Sequence, residues 1–145
     1  MILFAGQMPP QLDAVDPVVK ALHAAVASVL DAEAAFGFEV AASEALTNIV
    51  VHGYAQIEGG GDISLSLCAE AQGVSLDIRD RGIPGPYDLY SRAATPESID
   101  VMAESGRGLA LIRHLADDIA YFPSAAGNRL VLTFRQGRSG FVPDG

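Results

Sequence analysis

Two alternating runs, "DISLSLCA" at 62–69 and "VSLDIRD" at 74–80, restrict the fold more than any other feature of the chain. Side chains change face at every residue of a strand, so each run makes a strand with one apolar side. The tight connection through "AQG" returns the second run along the first as an antiparallel hairpin. Such a hairpin needs cover for its apolar face, and helices with apolar stripes supply it. Leu12, Val15, Val19, Leu22, Val26 and Val29 give a stripe across residues 11–30. A second helix is expected over 38–52, after a break at "DAEAAFGF" that contains Gly37. Gly53 would close it in a left-handed position. A third is expected over 107–117, with Leu109, Leu111, Ile112 and Leu115 as its apolar side. "ILFAG" at 2–6, "IAYF" at 119–122 and "RLVLTFR" at 129–135 read as further strands. The pattern predicts an α/β (α+β) two-layer sandwich, a mixed, mainly antiparallel sheet with helices on one face.

At 145 residues, half of them apolar, the chain can bury a sizeable core as a single domain over 1–136, with a polar, Gly-rich tail at 137–145. Its 18 acidic and 9 basic side chains leave a formal charge of −9. That balance argues against direct nucleic-acid contact and against an anionic membrane surface, while still allowing one nucleotide to be held locally. Cys68 is the only cysteine, so no intrachain disulfide forms, and a buried thiol in a reducing compartment is expected. The run "MILFAG" lacks a signal peptide's charged start, and no uninterrupted apolar run reaches bilayer length. A cytoplasmic setting is the expectation.

Residues 83–105 fit neither period and carry several prolines. A loop of that length is either a mobile insertion or a functional lid, and here it lies between the glycines of "DRG" and those of "SGRG". Gly106 and Gly108 bracket Arg107 just ahead of a helix, where backbone N–H groups can meet an anion. Neither a P-loop nor a dinucleotide fingerprint is present. Asp80, two residues before Gly82 at a strand end, can form a turn or accept a bond from an exocyclic amine. Glu44, Asn48 and His52 share one helix face at a spacing of four. The first two can hold a hard cation through oxygen while the glutamate takes a proton. His52 has a plainer role open to it, donating to the carbonyls of a helix end. His23 and His114 read as surface or packing residues.

Taken in order, E-A-x-x-N-x-x-x-H-G-Y, a hairpin ending D-x-G-x-P, a long loop, and S-G-x-G-x-x-x-I before a helix resemble the GHKL (histidine kinase-like) ATPase family. Within it the chain is similar to bacterial anti-sigma factor serine/threonine kinases of the RsbW and SpoIIAB type. The resemblance runs from the first strand to "LVLTF" and implies the Bergerat fold, with ATP and Mg2+ as cofactors. It assigns Asn48 to the metal between the ATP phosphates and Glu44 to general-base catalysis. Asp80 would accept from the adenine amine, with Gly82 allowing the base to come close. Residues 83–105 would be the ATP lid, and Ser105, Gly106, Arg107, Gly108 and Leu109 the box that meets the phosphates. In the family a threonine reaches adenine through a water ahead of the last strand; Asn128 stands there in this chain.

The resemblance further implies a homodimer, an anti-anti-sigma (STAS-domain) protein as phosphoryl acceptor, and a sigma factor that the kinase sequesters. An ATP-binding switch without kinase activity is the alternative, and the retained Glu44 speaks for the kinase. The ATP-binding part of a sensor histidine kinase fits less well. About 40 residues precede the Asn box, too few for a phospho-acceptor helical hairpin. A gyrase or mismatch-repair type ATPase would need a transducer domain that is not seen.

Overall fold

A computed structural model describes residues 1–55, 61–91 and 107–136. Strand β1 is Ile2–Met8, followed by a 3-10 turn at Leu12–Ala14, helix α1 at Val15–Val26 and helix α2 at Ala32–Asn48. A π-helical turn, Ile49–Gly53, extends α2. Strands β2 (Ile63–Glu70) and β3 (Gly73–Asp80) form the expected hairpin, with Leu65 opposite Ile78 and Leu67 opposite Leu76. Helix α3 covers 107–115, and β4 (Asp118–Phe122) and β5 (Asn128–Arg135) complete the sheet. The strand order is β1-β2-β3-β5-β4. Every neighbouring pair among the described residues is antiparallel, where the sequence pattern had allowed a mixed sheet.

The period of two puts Ile63, Leu65 and Leu67 of β2, Val74, Leu76 and Ile78 of β3, and Leu130, Leu132 and Phe134 of β5 on one face, all buried. Val15, Val19, Leu22 and Val26 of α1 and Phe38, Ala41, Ala42, Ala45 and Leu46 of α2 join the same core. Phe38 meets Phe134 edge to face, ring centroids 5.1 Å apart. Burial of each such large side chain contributes about 1.5–3 kcal/mol. The two-layer α+β sandwich is therefore the fold, with one large apolar face between sheet and helices.

Several local expectations change. The apolar stripe of 11–30 is divided into a 3-10 turn, α1 and a turn ending at Leu30, whose N–H donates to the Val26 carbonyl at 2.9 Å. No break occurs at "DAEAAFGF": Asp31 is the N-cap of α2, accepting from the Ala34 N–H at 2.8 Å, and the helix passes straight through Gly37. Alanines and burial of Phe38 offset the roughly 1 kcal/mol that an internal glycine costs. Joined to its π turn, α2 gives a 22-residue helix, Ala32–Gly53, long and apolar enough by composition to cross a membrane. No uninterrupted run of that kind is visible in the sequence because Glu33, Glu39, Glu44 and Asn48 punctuate it. In the fold it is the central core helix. Helix α3 stops at 115 rather than 117, because Asp117 already pairs with β5: its N–H donates to the Thr133 carbonyl, and its Oδ2 accepts from the Arg135 N–H at 2.7 Å. Cys68 is half-buried and lies on the face away from the helices, beside Ser66, rather than in the core.

Candidate active site

The end of α2 and the start of α3 meet through Gly108. A Cβ at that position would lie 2.8 Å from Glu44 Oε2, 3.2 Å from Asn48 Nδ2 and 3.5 Å from Asn48 Oδ1. The absence of a side chain thus lets the first turn of α3 descend onto the polar face of α2. Asn48 Nδ2 is buried there without a hydrogen-bond partner among the described residues. A buried amide hydrogen left unbonded costs on the order of 1–3 kcal/mol, so an acceptor brought to this atom is favoured.

Next to Asn48 opens a cavity of about 260 Å3. Ile49, Ile83, Leu89, Leu109 and Leu130 make most of its wall, while Asn48, His52, Asp80 and Asn128 supply polar atoms. Flat apolar walls with a few placed polar groups suit an aromatic base. The described start of the expected lid, residues 83–91, closes one side through Ile83, Pro84, Gly85, Pro86, Leu89 and Tyr90. The rest of that lid, 92–105, with Ser105 and also Gly106, lies outside the described residues, as does the tail 137–145. Arg107 is exposed on the first turn of α3.

Asp80 ends β3 opposite Asn128, the first residue of β5, and only 7% of its surface is exposed. Its Oδ1 accepts from the Gly82 N–H at 2.8 Å and from Asn128 Nδ2 at 2.9 Å. Asn128 Nδ2 also donates to the Gly82 carbonyl at 3.0 Å, and Asn128 Oδ1 accepts from the Ser124 N–H at 3.1 Å. Asn128 thus spends its amide on protein groups where a water-mediated contact to a base was expected of this position. The close approach at Gly82 also differs in kind. A Cβ on Gly82 would sit 2.7 Å from the Gly53 carbonyl oxygen, so the glycine admits the backbone of the helix end. The Ile83 N–H seals this contact, donating to Gly53 O at 2.7 Å. Gly53 itself does not take a left-handed φ; among the described glycines only Gly61 and Gly127 do.

Three tyrosines brace the segments around the cavity, and only Tyr54 falls within a sequence motif. The Tyr54 hydroxyl accepts from the Arg81 N–H at 2.8 Å, and the Tyr121 hydroxyl accepts from the Gly85 N–H at 3.0 Å. Tyr90 packs edge to face on Tyr121, centroids 5.0 Å apart. Burial raises all three phenol pKa values above the ordinary 10.0, with the Asp80 charge adding to the effect, so the struts stay neutral near pH 7. A buried tyrosine needs a partner for its hydroxyl, and "HGY" at 52–54 carried that hint. His52, for which a helix-end role was weighed against one in catalysis, lines the cavity.

No group of three or more His, Cys, Asp or Glu side chains that could cage a metal exists among the described residues. A cation beside Asn48 would therefore draw most of its oxygens from a ligand and from water, which is how Mg2+ binds phosphates. Toward such a cation Asn48 would offer its amide oxygen and Glu44, one turn away, a carboxylate, while the Nδ2 hydrogen calls for an acceptor such as a ligand oxygen.

The chain has recognisable relatives. Residues 8–134 match the family profile described as the histidine kinase-like ATPase domain. An anti-sigma F factor of Bacillus licheniformis is 33% identical over 78 residues, 54% of this chain and 53% of that protein. A serine-protein kinase RsbW of Staphylococcus aureus is 31% identical over 88 residues, 58% of this chain and 55% of that protein. The matched stretch thus spans about half the length of these curated relatives. Among solved structures, the RsbU and RsbW domains of a Mycobacterium tuberculosis protein superpose with a TM-score of 0.63 at 20% identity, covering 92% of this chain and 32% of that one. The histidine kinase domain of a blue-light activated kinase from Erythrobacter litoralis gives 0.58 at 13% identity, covering 90% and 63%. Both likenesses are of fold. With a profile match from the last residue of β1 to Phe134 of β5, the chain belongs to the histidine kinase-like ATPase domain family.

Proposed function

We propose that this chain is an ATP-dependent serine/threonine kinase of the anti-sigma type. The observation that carries the proposal is the junction of Glu44, Asn48 and the Gly108 backbone at the edge of an apolar cavity that also contains Asp80. In this reading the purine lies between the apolar walls and its exocyclic amine donates to Asp80. The phosphates reach the Gly108 end of α3, where backbone N–H groups and the helix dipole would favour anions. Asn48 holds Mg2+ through its amide oxygen, and the metal, when bound, neutralises charge on the phosphates. Glu44 receives the proton of the acceptor hydroxyl. That oxygen forms a bond to the γ-phosphorus, the bond from the γ-phosphorus to the β,γ-bridging oxygen breaks, and ADP leaves.

The acceptor is proposed to be a serine or threonine of an anti-anti-sigma (STAS-domain) protein. A sigma factor is proposed as the partner held by the unmodified complex. The support is the pair of relatives named anti-sigma F factor and serine-protein kinase RsbW, at modest identity over part of each chain. A homodimer, a lid continuing through residue 105 and a cytoplasmic setting belong to the same proposal.

Labelled phosphoryl transfer from ATP to a STAS partner tests it. We expect transfer by the wild type and a loss of about 100-fold or more in Glu44→Ala, the range of general-base catalysis, with ATP affinity retained. ATP binding with no transfer by the wild type to any STAS partner would leave the non-kinase switch as the function. Unchanged transfer in Glu44→Ala would remove that residue from the chemistry.

A further inference from the structure

Asn128 carries an inference that rests on the ATP reading above and goes beyond it. Its side chain has two amide hydrogens, and both are used inside the protein, one on Asp80 Oδ1 and one on the Gly82 carbonyl. Its oxygen accepts from the Ser124 N–H. The reverse orientation of the amide would set an oxygen against a carboxylate and a carbonyl, so the hydrogen bonds fix one orientation. The side chain is only 4% exposed, and it faces the cavity wall beside Asp80.

This arrangement has two chemical consequences. Asp80 Oδ1 is saturated by the Gly82 N–H and the Asn128 amide, which leaves Oδ2 as the carboxylate atom available to a ligand among the described residues. Asn128 keeps no donor for the base. A purine edge entering here meets an acceptor and no N–H from this pair. An exocyclic amine satisfies that acceptor; a carbonyl at the same ring position leaves both itself and Oδ2 unpaired, which sites of this kind penalise heavily. A threonine at 128 has a single hydroxyl hydrogen and could bond only one of the two acceptors that Asn128 bridges.

We infer that Asn128 is the positioning residue for base selection: it locks Asp80 so that the 6-amino group of the purine is read directly by one carboxylate oxygen. The ligand class is a 6-aminopurine nucleotide, and the selectivity passes through Asp80 with Asn128 as its clamp.

Equilibrium binding of Mg2+ with ATP, with GTP and with purine riboside triphosphate, which lacks the 6-amino group, tests this in wild type, Asn128→Ala and Asn128→Thr. Wild type should bind ATP roughly tenfold or more tighter than the amine-free analogue. Asn128→Ala should lose most of that ratio while its affinity for the amine-free analogue stays within about twofold of wild type. Asn128→Thr should fall between them. A merely structural role predicts instead that Asn128→Ala weakens both nucleotides by one common factor, and that result overturns the inference. So does an unchanged ATP-to-analogue ratio in both variants. Absence of binding of all three triphosphates to the wild type overturns the ATP reading itself, and this inference with it.

Discussion

At the scale of single residues, the site depends on groups whose surroundings matter more than their identity. Asn48 is one amide among many until Gly108 packs against it in a place where, among the described residues, the buried Nδ2 has no partner. Tyr90 shows the same dependence through its proton. Burial is the largest cause of its raised pKa, followed by Tyr121 and the Asp80 charge. A folded pKa above the unfolded one means that the native state holds the proton more tightly. The associated stability is whole below the unfolded value of 10.0 and is lost as the pH rises from there toward the folded value. Urea titrations from pH 8 to 11 should show stability falling above about pH 10, more steeply in wild type than in Tyr90→Phe, which keeps the ring contact and has no phenol to ionise. Parallel curves for the two proteins would mean that Tyr90 does not resist ionisation.

At the scale of elements, the hairpin β2–β3 was plain in the sequence because alternation of Ile63, Leu65 and Leu67 with serines has only one reading. Helix α2 was harder. Gly37 and the acidic Asp31 look like punctuation in one dimension, yet Asp31 is a cap and Gly37 is carried by the core packing around it. Cys68 looked interior because its neighbours are apolar; its parity with Ser64 and Ser66, not its neighbours, sets its face. Gly82 could not be understood alone, since it is small for the sake of the Gly53 backbone, whereas a Cβ on Gly53 would meet Gly82 only at an ordinary 3.7 Å. Gly82→Ala forces a methyl against Gly53 O, C and Cα at 2.7–2.9 Å. Backbone atoms there cannot rotate aside, so a loss of about 1–3 kcal/mol is expected, read as a lower urea midpoint with unchanged slope. Wild-type stability in Gly82→Ala would show that the strand and helix ends are free to separate.

At the scale of the whole molecule, the three short boxes were legible because each is a local pattern, and the fold sets Asn48 and Asp80 in the wall of one cavity with Gly108 packed against Asn48. The braces around them were illegible for the opposite reason. Tyr54 bonds to Arg81 across 27 residues and Tyr121 to Gly85 across 36, and nothing local marks such pairs. The proposed site would let a chain of charge −9 hold a triphosphate, since local amides, a helix end and one metal would act where the net charge of the surface does not reach. Titration calorimetry of Mg2+–ATP on wild type and Asn48→Ala asks most directly whether the cavity is a nucleotide site built around a metal. Wild type should release binding heat that weakens when Mg2+ is chelated, and Asn48→Ala should bind weakly with or without the metal. No heat with the wild type, or equal metal-dependent affinity in both proteins, would contradict the account.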